Sequence, residues 1–224
     1  MPKIFCFIFA RGGSKRIPKK NLKKINNKSL LEITINLAKK VNKIDKIFVS
    51  SDSKKILNIA KNNNIQIIKR PKFLCTNKSD EFASWKHAVK ELKKRKILFD
   101  YFLSLPTTSP LRKKSDITRL IQKFSQTKYD VLLCATETNR YPHYNMVLRK
   151  KNTIQPIMKK SKGIKKNNIL DLTTVGYITK PKFIMNSKGI FDGKVGYVKV
   201  PRERAIDIDD FYDLKIAKFL LNKQ

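Results

Sequence analysis

Long apolar runs are missing: nothing in the chain approaches the roughly 18 consecutive apolar residues that cross a bilayer. Met1-Pro2-Lys3 leads straight into a short apolar segment, without the charged, apolar and small-residue regions of a secretion signal, so the expected location is cytoplasmic. Cysteine is scarce as well. Cys6, Cys75 and Cys134 are widely spaced and form neither a C-x-x-C pair nor a disulfide framework, which fits a reducing compartment and reads them as buried small hydrophobes. The two histidines, His87 and His143, stand apart with no i, i+4 partner, which removes the zinc-site patterns. Negative charge is short too: 17 Asp+Glu face 51 Lys+Arg, a net charge of +34. Such an excess raises a polyanion partner, because clustered cations release counterions from a phosphate backbone. Here the cations are spread through every segment and accompany many Ile and Asn residues, as a coding bias toward AT-rich codons would produce. Nucleic acid is therefore not the expected partner, and no membrane is.

What is present is enough for a core. A 41% hydrophobic content over 224 residues supports one large domain, 1–224, with room for a sizeable excursion. Short apolar runs predict strands at 3–9, 46–50, 66–68, 101–105, 131–135, 174–178, 196–200 and 205–208. Between them, apolar residues at helical spacing predict helices around 30–41, 56–60, 81–92, 115–126 and 211–221, the second capped by Asp52 or Ser53. Trp85, with Phe82 and Ala88 on the third of these, reads as core or interface packing. The alternation predicts an α/β fold: a mostly parallel, doubly wound sheet with helices on both faces, whose ligands sit beyond the carboxyl ends of the strands. The pattern loosens after residue 138, giving an excursion at 139–180. It carries Tyr141-Pro142-His143-Tyr144, a possible strand at 145–149 and a Lys/Asn-rich piece at 159–168, and it reads as a lid, a dimerisation arm or a long loop.

Two stretches carry chemistry. The first predicted strand runs into Arg11-Gly12-Gly13-Ser14-Lys15-Arg16-Ile17-Pro18-Lys19-Lys20-Asn21. Gly12 and Gly13 are expected to take positive φ and let backbone approach a ligand, while Arg11, Lys15, Arg16, Lys19 and Lys20 supply charge for a triphosphate. Neither a Walker spacing nor G-x-G-x-x-G is present, and a solvated lysine-rich turn is the plainer alternative. The second stretch is Glu203-Arg204-Ala205-Ile206-Asp207-Ile208-Asp209-Asp210. Alternation along a strand would turn Ile206 and Ile208 to the core and put Asp207 and Asp209 on the other face, Cα atoms roughly 7 Å apart. That is a hard-cation site of the kind Mg²⁺ uses, completed by water and substrate phosphate. Alternatively, Asp209 or Asp210 caps the following helix.

Taken together, the segments at 10–21, 106–112 (Pro-Thr-Thr-Ser-Pro-Leu-Arg) and 203–209 resemble, in order and spacing, the acylneuraminate cytidylyltransferases, also called CMP-sialic acid synthetases. Val49-Ser50-Ser51-Asp52 and Arg70-Pro71 agree with that resemblance, which spans nearly the whole chain. It implies that a 2-keto nonulosonic acid attacks the α-phosphate of CTP, giving a CMP-sugar and pyrophosphate, in a homodimer whose excursion reaches the partner's site. By resemblance, Arg11, Lys15 and Lys20 neutralise the phosphates, with Gly12, Gly13 and Ser14 in the same loop. Asn21, Arg70, Pro106 and Thr107 lie near the nucleotide. Asp207 and Asp209 hold Mg²⁺, with Asp209 on the side of the base that deprotonates the attacking hydroxyl. The chain departs from the family where Leu105 and Thr107-Thr108 replace a nucleotide-reading glutamine and P-T-S-P. Thr173-Thr174-Val175-Gly176-Tyr177, in place of an Asn-Gly pair, looks closer to the bacterial branch acting on legionaminic-like sugars. Tyr144, Asn145 and Tyr177 become candidates for the sugar pocket or half-buried core residues. A 3-deoxy-manno-octulosonate cytidylyltransferase and a non-catalytic polyanion binder are the competing readings.

Overall fold

The structure is a computed structural model, which describes residues 1–76, 79–142, 145–158 and 168–223. In chain order its elements are β1 (Ile4–Phe9), β2 (Lys24–Ile25), β3 (Lys28–Ser29), α1 (Leu30–Lys39), β4 (Lys46–Ser51), α2 (Lys54–Asn62), β5 (Gln66–Lys69), α3 (Glu81–Lys94) and β6 (Tyr101–Ser104). They continue with α4 (Lys114–Ser125), β7 (Val131–Glu137), β8 (Val147–Lys150), β9 (Thr153–Pro156), β10 (Leu170–Thr179), α5 (Pro181–Asn186), β11 (Val195–Lys199) and α6 (Phe211–Asn222).

Seven strands form one sheet in the order β11-β7-β10-β6-β1-β4-β5. Every neighbouring pair is parallel except those made by β10, which runs antiparallel to both β6 and β7. Strand β1 is apolar along its whole length because both faces of the sheet are covered. Ile4, Cys6 and Ile8 point into an aliphatic layer with Leu31 and Ile35 of α1, Ile56 of α2, and Ile117 and Leu120 of α4. Phe5 and Phe7 point the other way into an aromatic layer with Phe48, Phe102, and Phe82 and Trp85 of α3. The Phe7 and Phe102 rings stack at 4.3 Å. From β1 the chain winds outward to β4 and β5 on one side, while β6 lies on the other. The carboxyl end of β1 is therefore a topological switch point, where a crevice opens in sheets of this kind.

Three features differ from the expected pattern. Leu170–Thr179, inside the excursion expected at 139–180, is β10, a strand within the main sheet between β7 and β6. Residues 205–208 form no strand: a 3-10 turn at Arg202–Arg204 leads into irregular backbone, which touches the 106–112 segment through Ile208 N donating to Thr108 O at 2.9 Å. Asp52 does not cap α2, and no side-chain hydrogen bond caps that helix; its Oδ1 instead accepts from Gly12 N at 2.8 Å. The possible strand at 145–149 is β8, which pairs with β9 in a separate antiparallel hairpin. Cys6 and Cys134 are buried and Cys75 half-buried. No helix among the described residues is long and apolar enough to cross a membrane.

Candidate active site

Three segments far apart in sequence meet because each carries one apolar residue in the same small cluster. Ile17 of the basic loop, Leu111 of the 106–112 segment and Ile208 of the acidic segment are buried together with Ile25, Leu30, Leu214 and Ala217. Burying a side chain of this size stabilises by about 1.5–3 kcal/mol, so the cluster holds polar loops that regular secondary structure does not. At the carboxyl end of β1, between the loops that the cluster holds, opens a cleft of about 280 Å³, lined among others by Phe9, Arg11, Ser14, Lys20, Asn21, Arg70 and Thr107.

The loop after β1 is built differently from the positive-φ glycine turn expected of it. Neither Gly12 nor Gly13 takes left-handed backbone; that conformation falls to Lys19, at φ 55°. Gly12 is required for room: a Cβ there would stand 2.9 Å from Ser53 Cβ at the start of α2. Gly13 has open space around it. Lys19 precedes a 3-10 turn that aims Lys20 across the cleft, where its Nζ donates to Ile208 O at 2.7 Å and lies 3.3 Å from Asp209 Oδ1. Arg16 Nη2 approaches the same Asp209 oxygen at 3.1 Å from a largely exposed position. Lys15 is exposed and does not line the cleft.

The walls are held by buried polar contacts. Asn21 donates to Arg11 O at 2.8 Å and accepts from Thr107 Oγ1 at 2.5 Å, tying the basic loop to the 106–112 segment. Arg112 is buried and donates to the carbonyls of Ser109, at 2.7 Å, Val175, at 2.9 Å, and Pro106; burial holds its guanidinium down to about 10. Leu105 is wholly buried in the aliphatic layer, so Thr107 forms the wall in its place. Opposite, Arg70 is buried, donates to Ser84 Oγ at 3.0 Å and lies over the Phe9 ring. Its Nε has no partner among the described residues. In β10 the register with β7 breaks between Leu172 and Tyr177, and such a bulge re-aims side chains. Thr173 turns to Cys134 O, while Thr174 reaches Ser109 Oγ at 2.6 Å and the cleft.

Asp209 meets Lys20 of this cleft and Asp207 lies against Thr108 and Thr174 of its wall; the two aspartates themselves line a second, larger cleft of about 980 Å³, with Arg140, Asp171 and Arg202. Burial pushes the Asp207 carboxyl above its ordinary range, opposed by the Thr108 hydroxyl and reinforced by the charge on Asp209. Its Oδ1 is buried without a partner among the described residues. A buried carboxylate oxygen left unmatched is costly unless a cation completes it. Asp210, and not Asp209, caps α6, accepting from Tyr212 N and Asp213 N. Among the described residues no three His, Cys, Asp or Glu side chains cluster to hold a metal; two carboxylates are what Mg²⁺ uses beside substrate phosphate.

A sequence profile described as cytidylyltransferase matches residues 5–174, most of the chain. The chain belongs to this family. A pseudaminic acid cytidylyltransferase of Campylobacter jejuni is 31% identical over 97% of this chain and 96% of its own length. A CMP-N,N'-diacetyllegionaminic acid synthase of the same species is 26% identical over 99% of this chain and 96% of its own. The fold matches that of a solved CMP:2-keto-3-deoxy-manno-octonic acid synthetase complexed with CTP, at a TM-score of 0.75 with 15% identity, over 99% of both chains. The protein is thus a nucleotidyltransferase enzyme.

In this cytidylyltransferase the structure gathers Arg11, Gly13, Ser14, Lys20, Asn21, Arg70, Pro106 and Thr107 around one cleft and sets Asp207 and Asp209 at its edge. Asn145 is exposed and closes its own turn, accepting from Tyr141 N and donating to Asn139 O. Tyr177 packs edge-on against Trp85 at 5.7 Å and lines a neighbouring cleft with Phe82 and Phe191. Tyr144 and His143 lie outside the described residues, as do 159–167. Sequence reasoning missed Ser84, Thr174 and Glu81 on the cleft wall. Glu81 opens α3 and accepts from Trp85 Nε1 at 3.2 Å. The signal available for Ser84 was its place on the α3 face that carries Trp85 and Ala88.

Proposed function

We propose that this enzyme transfers the cytidylyl group of CTP to the anomeric hydroxyl of an acidic nine-carbon 2-keto sugar, releasing pyrophosphate, with Mg²⁺ held by Asp207 and Asp209. The observation that carries the reading is the reach of Lys20 from the basic loop to Ile208 O and Asp209 Oδ1. It means that one triphosphate can meet the loop cations and the acidic dyad together. When bound, Mg²⁺ supplies charge cancellation on the phosphates. The chain's own residues do the rest. Lys20 and Arg11 offset charge on the departing pyrophosphate, and Asn21 and Thr107 fix the wall against which the nucleotide lies. Asp209, half-exposed and lining the larger cleft, stands on the side of the base that takes the proton of the attacking hydroxyl.

The larger cleft fits the acceptor. It is lined by both aspartates of the dyad and offers Arg140 and Arg202 for a carboxylate, with Asp171 for hydroxyls. An acid acceptor is supported by the relatives named for pseudaminic and legionaminic acids. The likeness to the octonic acid synthetase extends to the fold alone at 15% identity. A homodimer belongs to the same proposal. The β8–β9 hairpin exposes Val147, Leu148 and Ile154, and Ile157, Met158 and Leu172 beside it are open too, a face that a second copy would cover. Pyrophosphate release from CTP and Mg²⁺ is expected with pseudaminic, legionaminic or N-acetylneuraminic acid. No release with any of them overturns the reading, and release with the eight-carbon sugar alone moves the enzyme to the competing class.

A further inference from the structure

We infer that Arg204 and Asp116 are positioning residues that set the metal-binding geometry of Asp207 from outside the cleft; the inference rests on the nucleotidyl-transfer reading. Asp116 opens α4 and its side chain has no solvent exposure, yet it accepts four N–H groups. Oδ2 takes Lys113 N at 2.9 Å and Arg204 Nε at 2.9 Å; Oδ1 takes Arg204 Nη2 at 2.9 Å and Arg119 Nη2 at 3.2 Å. The Arg204 fork on one carboxylate is the geometry that lysine cannot reproduce.

What this clamp holds is the acidic segment. Ala205 N returns to Arg202 O within the 3-10 turn, and Ile208 N reaches Thr108 O, with Ile208 locked in the apolar cluster. Asp207 lies between these two pins, in irregular backbone with no sheet ladder to fix it, and the Thr108 and Thr174 hydroxyls engage its carboxyl without satisfying Oδ1. Its unmatched buried oxygen is therefore aimed by Arg204 on one side and Ile208 on the other. A strand would have fixed Asp207 by its own register; lacking one, the segment takes its position from α4. Neither Asp116 nor Arg204 lines the nucleotide cleft.

The test uses Mn²⁺ as the probe, its binding to the full-length chain with CTP followed by electron paramagnetic resonance, beside CTP affinity, the Mg²⁺ dependence of the rate and thermal stability. Arg204→Lys, Arg204→Gln and Asp116→Asn are expected to weaken Mn²⁺ binding and raise the Mg²⁺ requirement tenfold or more, with CTP affinity within about twofold. The Asp116→Asn/Arg204→Gln double variant is expected to lose no more than the worse single one, because both break one interaction. Arg119→Ala, at the exposed rim of the clamp, should leave Mn²⁺ affinity within twofold. Unchanged Mn²⁺ affinity in folded Arg204→Lys and Asp116→Asn overturns the inference, as does an equal loss of CTP and Mn²⁺ binding. If Arg204→Gln does not fold, the two shape-conserving variants decide. A wild-type chain that binds Mn²⁺·CTP through the clamp but transfers to no sugar fails the functional reading alone.

Discussion

Replacing Lys20 by alanine separates the account from a generic basic loop. The ammonium is mostly shielded, at 16% exposure, and bonds at once to a backbone carbonyl of the acidic segment and to a carboxylate of the dyad. A hydrogen bond involving a charged group is worth about 1.5–3 kcal/mol. A positioned donor that meets charge developing in the transition state is worth about 2.7–4 kcal/mol, or roughly 10²–10³ in rate. The stabilising part is smaller, because losing the Ile208 tether leaves a carbonyl that water can reach, about 1 kcal/mol, and for a chain of this size about 2–4 °C in Tm. Lys20→Ala is therefore expected to lower kcat/KM for CTP by about 10²–10³ while moving Tm by only a few degrees, read by initial rates of pyrophosphate release and by calorimetry. A fall of less than fivefold in a folded variant would refute the reasoning, since the cation would then face solvent in the working complex.

Other perturbations probe the same frame. Asp207→Ala should abolish saturable Mg²⁺ dependence of pyrophosphate release while leaving CTP binding measurable by calorimetry. Gly12→Ala forces its Cβ against Ser53, and overpacking of that kind costs about 1–3 kcal/mol; a CTP titration should show weaker binding of up to about 10²-fold. Arg112→Met leaves three buried carbonyls without their donor at about 1–3 kcal/mol each, so urea unfolding should show a loss of at least about 3 kcal/mol. Leu148→Lys with Ile154→Lys, both on the exposed hairpin, should give a folded monomer in sedimentation velocity; a dimer that persists would place the interface elsewhere.

The parallel part of the sheet was legible because strands buried on both faces read as continuous apolar runs, as in Ile4–Phe9 and Val131–Glu137. The direction of β10 was not, since antiparallel pairing in a doubly wound sheet leaves no periodicity of its own. Ile206 and Ile208 alternate with Asp207 and Asp209 as a strand would, and both isoleucines do pack inward. Yet the neighbour is an apolar knot with Ile17 and Leu111, contacts 95 or more residues away that no local pattern announces. Asp52 looked like a cap because it precedes α2; tertiary contact diverted it to Gly12 N. Likewise the left-handed residue of the phosphate loop is a lysine flanking a short turn, where composition pointed to glycine. The site's charged residues were thus readable by type and order, whereas the threonines and serine that wall it, Thr174 and Ser84 among them, were placed by a bulge and by helix packing.

The central claim is that the loop cations and the acidic dyad act on one nucleotide. A crystal structure of the enzyme with Mn²⁺ and a non-hydrolysable CTP analogue measures this directly. The metal's anomalous peak is expected within coordination distance of Asp207 Oδ1 and of a phosphate oxygen, with Lys20 and Arg11 on the same triphosphate. A triphosphate bound away from Lys20, or a metal seated on neither Asp207 nor Asp209, would contradict it.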